Sequence, residues 1–134
     1  MFQETPKIHH VGVVVPDMEA SENYMQIFGH SEDYRGYVAP FQCWCIFLKA
    51  PPGQPSVELI VPDGGPLARF NKGSGGIHHY AYETPDIAKL QRDLAARDIA
   101  MVESAAVKGA GNFLCNFINP IATRGVIVEF VQLL

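Results

Sequence analysis

Cysteine is scarce and poorly placed for cross-linking. Cys43, Cys45 and Cys115 are the only three. No two form a CxxC pair, and an odd count makes a poor disulfide framework. All three stand in apolar runs, so small buried hydrophobes in a reducing compartment are expected rather than catalytic thiols. Basic clusters are missing as well. Ten Lys and Arg against fourteen Asp and Glu leave a net charge of −4. That argues against nucleic acid or an anionic membrane surface as the main partner. No run approaches the roughly 20 apolar residues that a membrane helix needs. MFQETPKIHH carries no signal-peptide pattern, so a cytoplasmic location is expected. Charge of either sign is sparse, 18% against 48% hydrophobic, and a homodimer that covers some apolar surface is expected.

What the chain does have is a repeat. IHHVGVVVPD (8–17) returns as IHHYAYETPD (77–86). His10 and His79 stand 69 positions apart, as do Pro16 and Pro85. VEL at 57–59 returns 71 positions later as VEF at 128–130. Matching marks at both ends of two similar blocks indicate duplication of a β-α-β-β-β unit. In the first block, KIHHVGVVV is a continuously apolar strand after its histidines. Asp17 caps a helix, DMEASENYMQIF, in which Met18, Tyr24, Met25 and Phe28 fall at near-helical intervals, and Gly29 stops it. SEDYRGYVAP, FQCWCIFLKA (41–50) and SVELIVP (56–62) follow as strands. In the second block, IHHYAYET (77–84) is the strand. The helix DIAKLQRDLAARD places Ile87, Leu90 and Leu94 on one stripe. IAMVES, NFLCNFIN (112–119) and GVIVEFVQ (125–132) are the remaining strands, and AAVKGAG (105–111) reads as a mobile loop. The expected organisation is a single α+β domain over 1–134. Its modules, 6–62 and 75–133, are paired into a cupped mixed sheet. Residues 63–74 link them, with a short helix at PLARFN.

Two such modules can pair about an approximate two-fold, which brings equivalent residues together. Strand alternation puts His10, Gly12 and Val14 on one face and His9 on the other. His79 and Ala81 share a face, with His78 opposite. Gly12 and Ala81 leave room for a ligand, so His10 and His79 are expected inward. Glu58 and Glu129 are each a lone carboxylate in an apolar strand, and a buried carboxylate is costly without a partner. A divalent cation held by His10, Glu58, His79 and Glu129 would satisfy all four. Imidazole and carboxylate suit Zn, Co, Ni, Mn or Fe(II).

The runs IHHVGVVVPDMEAS, VELIVPDGGPLARF, GSGGIHHYAYET and NFINPIATRGVIVEF resemble the vicinal oxygen chelate superfamily, the glyoxalase fold. Within it they are most similar to methylmalonyl-CoA epimerase and related glyoxalase-like proteins. The resemblance spans residues 7–131. It implies the same four metal ligands and a small-molecule substrate, an acyl-CoA among the candidates. It also implies an isomerase or epimerase that moves a proton alpha to a carbonyl or thioester through a metal-stabilised enolate. Glu129 is the expected acid/base. Alternatives are a glyoxalase I-type lactoylglutathione lyase and a non-catalytic binding module of the same fold. Dioxygenases and thiol transferases of the superfamily use three ligands, which Glu58 argues against. One departure stands out. The second acid of such epimerases belongs on the third strand of the first module, and FQCWCIFL offers no Asp or Glu there.

Overall fold

The computed structural model describes Phe2 and residues 4–134. They form two compact units. One is His10–His78, and the other joins the N-terminal residues through His9 to His79–Leu134. No helix among the described residues is long and apolar enough to cross a membrane.

The first unit carries β1 (Ile8–Val14, from His10 onward), α1 (Met18–Phe28), β2 (Glu32–Val38), β3 (Cys43–Leu48), β4 (Ser56–Pro62) and the short α2 (Gly65–Ala68). Its strands run in the order β2-β3-β4-β1. β2/β3 and β3/β4 pair antiparallel and β4/β1 parallel. The crossover between the parallel strands includes α1. Asp17 starts that helix as expected, accepting from the Ala20 amide at 2.8 Å. Gly29 ends it in the left-handed region at φ 66°, where a residue without Cβ is not strained. Met18, Ala20, Tyr24 and Met25 pack on buried Val15, Ile46, Leu48, Leu59 and Val61. Each fully buried aliphatic of that kind stabilises the fold by about 1.5–3 kcal/mol. Phe28 departs from the expected stripe. It is the last residue of α1, 60% exposed, and its ring lies on Tyr24 at 4.8 Å instead of in the core.

The second unit carries β5 (Gly76–Glu83, from His79 onward), α3 (Ile87–Ala95), β6 (Val107–Lys108), β7 (Phe113–Phe117) and β8 (Val128–Leu133). The order is β5-β8-β7-β6, with β5/β8 parallel and the other pairs antiparallel. The β-α-β-β-β plan is therefore repeated. Asp86 caps α3 through the Lys89 amide at 3.0 Å. Ile87, Leu90 and Leu94 bury their stripe with Met101, Val128 and Phe130.

Three local expectations need correction. IAMVES is not a strand and makes one isolated bridge, Met101 to Ile118. The reason is a side chain. Asn116 accepts from the Glu103 amide at 3.0 Å and donates to the Glu103 carbonyl at 3.0 Å, so a carboxamide stands in for a strand neighbour. AAVKGAG is partly ordered as β6, and Gly109 sits so close to Phe113 that a Cβ would meet its ring at 2.1 Å. The helix expected at PLARFN breaks after Ala68 and resumes as a tighter turn over 70–73, with Asn71 and Lys72 left-handed.

Candidate functional site

The site is built from facing strand positions. The most buried face of β1 holds His10, Gly12 and Val14. Gly12 lies opposite Glu58 on β4, Glu58 opposite Phe47 on β3, and Phe47 opposite Tyr34 on β2. One row of the first unit thus reads Gly12, Glu58, Phe47, Tyr34. In the second unit, Ala81 lies opposite Glu129 and Glu129 opposite Phe117. The two rows are copies as far as the aromatic residue.

Within the first unit His10 Nε2 stands 3.5 Å from Glu58 Oε1, and within the second His79 Nε2 stands 3.4 Å from Glu129 Oε1. All four residues are at most 5% exposed. A phenylalanine braces each imidazole edge-on. Phe47 meets His10 at 5.2 Å and 82°, and Phe117 meets His79 at 5.2 Å and 81°. The sequence assignment of His10 and His79 to the buried face holds. The other histidine of each pair has a different neighbour: His9 packs on Phe113 and His78 on Phe70.

The residues present fit a divalent cation. A charge-assisted N–H···O bond is about 2.7–2.9 Å long, and both His–Glu pairs are wider. Two ligand atoms each about 2.0–2.2 Å from one ion, at octahedral or tetrahedral angles, stand about 2.8–3.6 Å apart. The pairs lie at the upper end of that spacing. Buried imidazole and carboxylate together are the donors that Zn, Co, Ni, Mn and Fe(II) accept.

The third strand supplies no carboxylate, and its thiols do not replace one. Cys43 and Cys45 are buried with sulfurs 3.7 Å apart. The hydrogen shared with Cys43, then burial, then the Glu58 charge push the Cys45 thiol up, so it is not a base near neutral pH. Three cationic residues stay in solvent. Lys72 and Arg124 are exposed, and exposed Lys108 donates to the Gly111 carbonyl. A surface cavity of about 620 Å³ in the second unit lies between the N-terminal segment and the start of α3. It includes none of the His–Glu residues.

Sequence reasoning missed the bracing aromatics. The signal was present: CIF at 45–47 returns as CNF at 115–117, a spacing of 70 between the repeat offsets of 69 and 71. In the structure Tyr34 lies flat on Phe47 at 4.8 Å and 11°. Burial first, and the Glu58 charge next, push its phenol up to about 12.

The family model described as glyoxalase/bleomycin resistance protein/dioxygenase superfamily matches residues 9–117. The ethylmalonyl-CoA/methylmalonyl-CoA epimerase of Cereibacter sphaeroides is 31% identical, over 94% of this chain and 97% of its own. The mitochondrial methylmalonyl-CoA epimerase of Bos taurus is 30% identical, over 94% of this chain and 74% of its own. The crystal structure of methylmalonyl-CoA epimerase from Mycobacterium tuberculosis superposes with a TM-score of 0.90 at 24% identity, over 100% of this chain and 93% of that one. The fold is accordingly the mixed α+β glyoxalase fold, and the chain belongs to the glyoxalase/bleomycin resistance protein/dioxygenase superfamily.

Proposed function

We propose that this chain is a metal-dependent epimerase acting on a malonyl-type acyl-CoA, of which methylmalonyl-CoA is the leading candidate. The observation that carries the reading is the duplicated buried pair, His10 with Glu58 and His79 with Glu129, in a chain whose relatives are methylmalonyl-CoA epimerases. The four residues would hold one divalent ion. When bound, such an ion supplies a Lewis acid that polarises the substrate carbonyl.

Epimerisation takes a proton from one face of a carbon and delivers one to the other. Two proton-carrying groups are required. Glu129 is one. The Cys45 thiol, pushed up by the hydrogen shared with Cys43 and by burial, is a poor base, and Glu58 is assigned as the proton carrier of the first unit. Phe47 and Phe117 stand edge-on to the two imidazoles and limit their turning. Exclusion of water by these apolar walls limits loss of the carried proton to solvent.

The test is proton exchange. Methylmalonyl-CoA of one configuration, incubated in D₂O with protein loaded with Co²⁺ or Zn²⁺, should gain deuterium at the alpha carbon and invert. Glu129→Gln and Glu58→Gln should each lower the rate by at least about 100-fold. Turnover of methylglyoxal with glutathione, without any exchange into acyl-CoA, would reassign the chain to lyase chemistry.

A further inference from the structure

The proton-transfer scheme gives no role to the phenol of Tyr34, which lies on the His10 face of the first unit. Resting on the acyl-CoA reading, we propose that the Tyr34 hydroxyl is a substrate-binding donor that hydrogen-bonds the free carboxylate of a malonyl-type thioester beside Glu58.

A β-bulge turns Tyr34 to that face. Glu32 pairs with Leu48, and regular antiparallel pairing would set Asp33 against Phe47 and Tyr34 against Ile46. The register instead slips between Glu32 and Tyr34, and Tyr34 pairs with Phe47. One inserted residue exchanges the two faces of a strand, and bulges commonly re-aim a side chain beside a site in this way. Tyr34 and Val38 turn to the side of Phe47 and Cys43. Arg35 and Tyr37 take the opposite side, where Arg35 reaches the Met18 sulfur and Tyr37 donates to Asp63 at 2.8 Å.

The ring is then held in place. It stacks on Phe47, which itself stands edge-on to His10. The hydroxyl feels the charge of Glu58 but forms no hydrogen bond with it, and it donates to no group among the described residues. Its acidity is suppressed to a pKa of about 12, so it keeps its proton and remains a donor at any working pH. Strands β1 to β4 place no Lys or Arg on this face, since Arg35 is turned away. The phenol is therefore a neutral donor that these strands offer beside Glu58 to an anionic oxygen, and a malonyl-type thioester carries one that a simple acyl thioester lacks.

Tyr34→Phe keeps the stacked ring and removes one oxygen. Dissociation constants for malonyl-CoA and for propionyl-CoA, which has no carboxylate, are measured by calorimetry on metal-loaded protein, with metal content and epimerisation kinetics in parallel. Malonyl-CoA should bind about 10- to 100-fold more weakly to the variant, the loss expected of a hydrogen bond to a charged group. Propionyl-CoA binding should change by less than about twofold and metal content not at all. Unchanged malonyl-CoA binding, equal losses for both thioesters, or no malonyl-CoA binding by the wild type overturns the proposal. Wild-type protein that binds malonyl-CoA through Tyr34 but catalyses no epimerisation would sink the reaction and keep the carboxylate site. Epimerisation with Tyr34→Phe indistinguishable from wild type in binding would do the reverse.

Discussion

Gly75 illustrates how much a missing methyl can matter. Its φ is +74°, and a Cβ there would stand 2.3 Å from the carbonyl oxygen of Val14. That carbonyl belongs to the last residue of β1, the strand that carries His10. Alanine at this position would incur about 1–2 kcal/mol from the left-handed backbone alone, and the contact with Val14 adds to it. Gly75→Ala should therefore lower the urea unfolding midpoint by more than the backbone term predicts, whereas Gly53→Ala should show little beyond that term. Gly53 shares the positive φ, at +76°, but has nothing within reach of its Cβ. The GSGG of the family-like run thus has a physical reason at its third residue. At this scale the His–Glu residues were legible in the sequence, because each is a polar side chain in an apolar strand and each recurs at the same point of the repeat. Tyr34 was not legible. Its face depends on a one-residue slip in β2, and alternation counted along SEDYRGYVAP gives no sign of where a bulge falls.

The segments that matched expectation are those with a strong period or a cap. β4 spans Ser56–Pro62, the same residues read from SVELIVP, and α3 begins after the Asp86 cap with Ile87, Leu90 and Leu94 buried. The segment 101–104 failed as a strand because, beyond the Val102 amide bond to the Phe117 carbonyl, its partner is a side chain. Asn116, 1% exposed on β7, holds both the amide and the carbonyl of Glu103. It also donates to Gln91 of α3 at 3.3 Å, and Gln91 in turn donates to the Glu103 and Ser104 carbonyls. One residue ties strand, helix and loop together, and apolar periodicity cannot reveal such a bond. Removing it takes away the partner of the partly buried Glu103 amide, at about 1–3 kcal/mol. Asn116→Leu, which fills the volume but offers no hydrogen bond, should destabilise the fold by at least about 2 kcal/mol. Amide exchange at Glu103 should quicken well before that of β8. Equal exchange at Glu103 in variant and wild type would show that the loop is held by something other than Asn116.

The repeat gives the molecule two similar units, each with its own buried His–Glu pair, and the pairs agree to 0.1 Å in spacing and 1° in the angle of the bracing ring. Such agreement between halves whose strands otherwise differ, FQCWCIFL against NFLCNFIN, points to a constraint on the pairs themselves. Packing alone imposes no such demand, because apolar residues of similar size would fill either position without the cost of burying a carboxylate. The cation proposed to be shared by the four residues would supply the constraint, and it leads to a prediction about stoichiometry. If the four residues hold one ion, purified protein reconstituted with Co²⁺ should contain one equivalent per chain. His10→Ala and His79→Ala should each abolish tight binding, although they lie in different repeats. If each pair instead held its own ion, the wild type would take up two equivalents and each variant would keep one. Elemental analysis together with the visible Co²⁺ spectrum separates these outcomes. The thermal midpoint gives an independent check, because a ligand bound only by the folded state raises stability by about 4 kcal/mol when present at a thousand times its dissociation constant. Adding metal should therefore raise the melting temperature of the wild type and leave that of both histidine variants where it was, and a variant that still responded to metal would remove its histidine from the ligand set.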